Sequence, residues 1–372
     1  MAENCAKGHD ETLIEARPVL ITVLIDTYNC GHFIEQAVDS VLAQDFPTEQ
    51  MEILVVDDGS TDDTAERVRK YGDQVQYFCK PNGGQASAFN FGIERARGEI
   101  VAFLDGDDYW LPGKLNRVAG EFEQQPEAGM VYHNFFYKRN ESPDELSVAR
   151  LAGSSGFLSN TRESLLSYDF YPTATLAFRR SVLQRLLPVP ESLVVQADAH
   201  LCACVIFVAP IVYIDQPLTV YRIHEGNLWN WAGNTPPGRR VFEGDPAARA
   251  RLERQVIASR AIGVGVREWL EKNGFDVDRP DLRAFLMRWA ISSRAAEFAL
   301  SPPGRLQFFR YLLECYWRQF PAMNWKLGLI NGWDVVGALA VGYEKFPRWE
   351  EGRERLMRRV RGWLSRAGSS FR

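Results

Sequence analysis

Four times in the first 110 residues, an apolar run of strand length gives way to a short polar turn. Val19 to Ile25 runs into Asp26-Thr27-Tyr28-Asn29, and Met51 to Val56 into Asp57-Asp58-Gly59-Ser60. Val75 to Cys79 precedes Pro81-Asn82-Gly83-Gly84, and Ile100 to Leu104 precedes Asp105-Gly106-Asp107-Asp108. Such runs, rich in β-branched and aromatic residues, read as buried strands. Between them the period changes to that of a helix. Phe33, Ala37, Val38, Val41 and Leu42 form one face, with Pro47 as the stop. Thr61 or Asp62 caps a short helix through Tyr71. Gln85 to Arg97 carries Ala86, Phe89, Phe91, Ile93 and Ala96, and Gly98 closes it. Strand and helix alternating with short connections predict an α/β fold, a mostly parallel sheet flanked by helices. In such a sheet the four polar turns share one edge, and ligands bind outside that edge.

After Pro236-Pro237-Gly238 the pattern turns helical, with helices expected at 249–272, 281–300 and 304–320. Three segments follow: a flexible N-terminus over 1–18, an α/β domain over 19–235, and a helical C-terminal region over 236–372. The run 327–343 is the most apolar, but Asn331, Asp334 and its glycines favour a buried or interfacial helix over a membrane span. From Lys345 to Arg372 there are nine basic residues against three acids, with Leu356, Met357, Val360, Trp363 and Leu364 as an apolar stripe. A basic amphipathic helix of this kind, centred on 350–366, suits an anionic membrane surface; packing on its own domain or a partner is the plain alternative.

Composition narrows the function. At 46% apolar and 24% charged the chain is globular, and a net charge of -5 does not favour nucleic acid. Six scattered cysteines form neither a zinc spacing nor a disulfide framework; Cys202-Ala203-Cys204 reads best as helix packing. The start of the chain lacks the basic and apolar regions of a signal peptide, so a cytoplasmic protein is expected, on the inner membrane face if the tail docks there. A dinucleotide fold needs Gly-x-Gly-x-x-Gly after the first strand, where 26–31 holds one glycine, and no Walker-type loop occurs.

The centre of the chain is the strand ending in Asp105, Asp107 and Asp108. Three adjacent carboxylates repel one another unless a cation neutralises them. Mg²⁺ or Mn²⁺, hard ions that arrive with substrate phosphates, suit that position. The plain alternative is a solvated acidic turn.

Together these residues closely resemble a family 2 glycosyltransferase of the GT-A fold. The resemblance rests on Thr27-Tyr28-Asn29, Ser40 to Gln44, Val56 to Thr64, Asn82 to Gly92, and Phe103 to Asp108, in the family's order and spacing. It covers about residues 19–230. Asp26, where many members carry proline, marks a subfamily. The resemblance implies that Thr27, Tyr28 and Asn29 border the base and that Asp57 or Asp58 accepts from a uracil-like imide. It further implies that Asp105 contacts the ribose beside Gly106, and that Asp107 holds Mn²⁺ or Mg²⁺ on the diphosphate. Asn82, Gly84 and Gln85 would offer backbone N–H groups and an amide to donor sugar or phosphate, a plain turn being the alternative.

The family's acidic pair at a helix head corresponds here to Ala197-Asp198, leaving Asp198 as the expected base, with His200 as fallback base or core histidine. The closing motif corresponds to Tyr221-Arg222-Ile223-His224, which nominates His224 as a metal or phosphate ligand. Arg222 is either a phosphate partner or a surface charge, Trp229 and Trp231 a sugar platform or packing. Tyr132-His133-Asn134 and 170–175 are expected to line the acceptor side.

The activity so implied is inverting, metal-dependent transfer from a UDP-linked donor to a saccharide or lipid-linked saccharide, as in cell-surface glycan synthesis. Two rivals stand beside it. A sugar nucleotidyltransferase would need a glycine-rich basic loop at 26–31; a non-catalytic nucleotide-sugar binder is favoured by Ala197.

Overall fold

The computed structural model describes residues 20–139, 146–149, 153–169, 171–224, 226–227, 246–301 and 303–319. The expectations for 1–18, Phe170, Trp229, Trp231, 236–238, 327–343 and the basic tail lie outside the described residues.

The alternation predicted for the first half is realised. Strands β1 (Ile21–Thr27), β2 (Met51–Asp57), β3 (Gln76–Cys79) and β4 (Ile100–Asp105) pair in parallel in the order β3-β2-β1-β4. Their connections are helices α1 (Gly31–Leu42), α2 (Thr64–Arg69) and α3 (Gln85–Arg95). The period-2 geometry of strands sorts their side chains between two cores. Ile21, Val23, Ile25, Ile100, Ala102 and Leu104 face α1. Leu24, Leu54, Val56, Val101 and Phe103 face α3. All five buried residues of α1 (Gly31, Ile34, Ala37, Val38, Val41) fall on one stripe. Asp62 holds the start of α2: its carboxylate accepts from the Thr64 backbone N–H (3.0 Å) and from Gly31 N–H (2.9 Å).

Beyond β4 the sheet becomes mixed. After β5 (Tyr109–Trp110) and α4 (Lys114–Gln124) come β6 (Met130–Arg139), β7 (Leu146–Val148) and α5 (Arg162–Ser167). Next are β8 (Leu176–Arg179), α6 (Arg180–Leu186), α7 (Ala197–Val205) and β9 (Ile211–Ile223). β8 runs antiparallel between β4 and β6, β9 lies parallel to β6, and β5 and β7 complete the nine strands of the described residues. The helices α8 (Pro246–Lys272), α9 (Pro280–Leu300) and α10 (Arg305–Gln319) fall where the helical periodicity put them. α8 and α9 share one hydrophobic core with α3, α7 and the sheet, through Ile262, Val266, Trp269, Phe285 and Trp289. The packing is close: a Cβ at Gly265 would meet the Pro190 ring at 2.8 Å. No helix among the described residues is long and apolar enough to cross a membrane.

Candidate active site

The carboxyl ends of β1 and β4 and the head of α7 open on one cleft of about 1120 Å³. Its lining contains Thr27, Tyr28, Asn29, Asp58, Asn82, Gly84, Gln85, Asp105, Gly106, Asp107, Asp198 and His224. Of the residues nominated for the donor, Asp57 is turned away. It is buried, with one oxygen accepting from the Ser60 backbone N–H (2.7 Å) and the other from the Tyr77 hydroxyl (2.6 Å). Asp58 therefore is the member of that pair available to a ligand. It is itself held by Lys80 Nζ at 2.5 Å and by the N–H groups of Gly83 and Gly84.

The same division holds at the acidic strand end. Asp105 and Asp107 line the cleft, whereas Asp108 is buried and accepts from the Arg222 backbone N–H at 2.8 Å. Arg222 is buried too, bonded to Gln36 and lying over the Phe33 and Tyr109 rings, so it acts in packing, neither as a surface charge nor within the cleft. Tyr132, His133 and Asn134 are likewise buried in β6 and do not line the cleft, which corrects that expectation. A strand interior cannot expose successive residues to the same cavity.

Glycines let backbone approach the ligand space. Gly106 sits under Thr27: a Cβ there would come within 2.6 Å of Thr27 Oγ1. That hydroxyl is buried with no hydrogen-bond partner among the described residues. Gly84 has φ +83°, and a Cβ would reach the Val194 Cα at 2.5 Å. Gly84→Ala is expected to cost about 1–3 kcal/mol in backbone strain alone. Because Val194 lies just ahead of α7, the variant should also lower turnover more than donor affinity; a denaturation midpoint beside steady-state kinetics checks both.

Gln85 ties the two sides of the cleft together. Its amide nitrogen lies 3.4 Å from Asp105 and 3.3 Å from Thr173 Oγ1, and its carbonyl accepts the Ala197 N–H at 3.0 Å. Thr173 Oγ1 in turn donates to Asp198 at 3.1 Å. Asp198 is in the first turn of α7, and burial pushes its carboxyl up to about 6. Ala197 is fully buried in the apolar core, so a second acid at that position would have no access to solvent. His200 is a core histidine: it is buried, outside the cleft lining, near Cys204, and burial lowers it to about 4.

His224 faces Asp107 across 3.1 Å, and Asn227 donates to the same carboxylate oxygen at 3.3 Å. The Gly226 N–H reaches His224 Nδ1 at 3.2 Å, which leaves Nε2 as the nitrogen directed at Asp107. Among the described residues no three His, Cys, Asp or Glu side chains converge to form a metal cage. A carboxylate and an imidazole on one side, with phosphate oxygens completing the shell, nevertheless fit Mn²⁺ or Mg²⁺, because such ions are commonly held by few protein ligands plus substrate.

Asp26 was singled out in the sequence only as a departure. It lies opposite Asp105 in the sheet register, with one buried oxygen lacking a hydrogen-bond partner among the described residues. Burial, then the charge of Asp107, pushes its carboxyl up to about 8. A folded-state value above the usual carboxylate range of about 4 means the neutral form is favoured by folding, and that stabilisation is lost as pH rises through 8. Between about pH 4 and 8 the loss is progressive, so Asp26→Asn should raise the metal-free melting temperature much more at pH 9 than at pH 5. An equal effect at both pH values would contradict this.

The fold is of the GT-A type. The family model for glycosyl transferase family 2 matches residues 22–187. An uncharacterized glycosyltransferase of Nostoc sp. is 35% identical over 213 residues, spanning 56% of this chain and 66% of that protein. One from Mycoplasma pneumoniae is 32% identical over 221 residues, spanning 57% and 72%. Among solved structures, S. aureus TarS 1-349 in complex with UDP-GlcNAc matches 90% of this chain and 92% of its own at TM-score 0.58 and 19% identity. The chain belongs to the family 2 glycosyltransferases.

Proposed function

We propose that the protein transfers a sugar, with inversion, from a UDP-linked donor to a saccharide or lipid-linked saccharide acceptor. The observation that carries this reading is the single cleft shared by Asp105 and Asp107 on one side and Asp198 on the other, bridged by Gln85 and Thr173. Thr27, Tyr28, Asn29 and Asp58 border the nucleoside. Asn82 and the Gly84 backbone lie beside Asp58, and Gly106 lets the diphosphate approach the end of β4. Asp107 and His224 would hold the divalent ion, which supplies Lewis-acid stabilisation of the negative charge that builds on the leaving diphosphate. Asp198 accepts the acceptor hydroxyl's proton, and its raised value makes it a stronger base than a solvated carboxylate. Thr173, donating to one Asp198 oxygen, leaves the other directed by the helix head. The UDP-GlcNAc bound in TarS supports testing uridine donors first.

Incubation with UDP- and GDP-sugars and a panel of saccharide acceptors, with Mn²⁺ or EDTA, tests the proposal. Acceptor-dependent release of UDP that EDTA abolishes is the expected result. Donor binding without release under any acceptor would favour a binding protein, and turnover unaffected by EDTA would remove the metal. The domain assignment is part of the same proposal: 19–235 carries the donor chemistry, and the helical region after 236 closes the acceptor side.

A further inference from the structure

The cleft does not end at the α/β domain. α8 and α9 contribute Arg254, Ser259, Arg288 and Trp289 to its lining. The donor end is acidic, with Asp26, Asp105, Asp107 and Asp198, while these helices add two guanidinium groups. Arg288 is engaged, donating to the carbonyls of Tyr168 (3.0 Å) and Leu165 (3.2 Å) at the end of α5. The Nε of Arg254 is buried and has no hydrogen-bond partner among the described residues. Leaving a guanidinium N–H buried and unsatisfied is costly, and its planar donors match a carboxylate or phosphate. Ser259, bonded to Ser292 at 3.1 Å, and the Trp289 ring add a hydroxyl pair and an aromatic face beside it. Asp169, an exposed carboxylate, also lines the cleft.

Resting on the transferase reading above, we infer that this end of the cleft takes the acceptor, and that the acceptor carries an anionic group, a phosphate or a carboxylate on a sugar or polyol, held by Arg254. The charges make the assignment directional. An anion entering the donor end unaided would meet carboxylates, whereas at α8 it meets the Arg254 guanidinium, whose Nε lacks a partner among the described residues. The acceptor thereby lies with its anionic group toward α8 and a hydroxyl toward Asp198.

Titrations of glucose, glucose 6-phosphate and glucuronate into the UDP- and Mn²⁺-saturated protein test this, with wild type and Arg254→Gln compared. Either anionic probe should bind about tenfold more tightly than glucose, the size of one charge-assisted hydrogen-bond pair. Arg254→Gln should abolish that preference while UDP binding stays intact, which also shows that the variant is folded. Glucose 6-phosphate and glucuronate together separate a phosphate acceptor from a uronate-type one. Equal binding of all three probes, or a preference that survives in Arg254→Gln, would overturn the inference. So would a loss of UDP affinity in the variant, because Arg254 would then serve the donor. If UDP does not bind at all, the transferase reading fails separately, and the same comparison on the free protein still decides the anion site.

Discussion

Asp198→Asn is expected to reduce transfer by about 10²–10⁴-fold, the usual contribution of general acid–base catalysis, with donor affinity unchanged. The amide keeps the hydrogen bond from Thr173 and the position at the head of α7, but cannot take a proton. The wild-type pH profile follows from the same group. Burial lifts Asp198 to about 6, and only its deprotonated form acts as a base, so the rate should fall about tenfold per pH unit below that value. Above it the rate should level off. Thr173→Val, which removes the hydroxyl donor and leaves the carboxylate, should move the break to higher pH. A break that persists unchanged in Asp198→Asn, measured on whatever activity remains, would assign the base elsewhere.

The second large effect belongs to Asp107. Asp107→Ala removes the carboxylate that His224 and Asn227 both address, and with it the anionic ligand proposed for the divalent ion. Removing a ligand from such a site weakens transition-state charge stabilisation by several kcal/mol, so turnover should fall about 10³-fold or more. Excess Mn²⁺ should not restore it. His224→Ala should be milder and partly rescued by raising the metal concentration, since it removes a neutral ligand. Identical metal titrations for wild type and Asp107→Ala would exclude Asp107 from the site.

Strand ends were the legible part of this sequence. An apolar run that gives way to a turn carrying Asp26, Asp58, Asn82 or Asp105 announces both a strand and the edge at which it ends, and these four residues do meet in one cleft. What periodicity does not carry is the direction of each side chain in the turn that follows. Asp57 and Asp58 are neighbours, yet Tyr77, twenty residues later, turns the first inward while Lys80 and the Gly83-Gly84 amides hold the second at the cleft. Asp108 looked like a third cleft carboxylate and is instead tied to the backbone of Arg222, more than a hundred residues away. Arg222 is a buried arginine for the same reason: its partners Gln36, Phe33 and Tyr109 come from distant elements.

The antiparallel half of the sheet was harder still. β8 has four residues, too few to establish a period, and it enters the sheet between strands that precede it in the chain. The helices after 246 were visible as helices, but their share in the cleft was not. Arg254 and Trp289 look like ordinary residues of amphipathic helices until α8 and α9 dock on α7 and the common core. Gln85 had an identifiable position at a helix start, but its bridge to Thr173 and Ala197 depends on two loops about 90 and 110 residues further on.

A nucleoside diphosphate is expected to bind at the carboxyl ends of β1 and β4, with a divalent ion on Asp107. Calorimetric titration of UDP and GDP into wild-type protein, in Mn²⁺ and in EDTA, tests it most directly. UDP binding at one site per chain, dependent on Mn²⁺, with GDP much weaker, is the expected result. Tight UDP binding that is indifferent to EDTA and survives in Asp107→Ala would contradict the account.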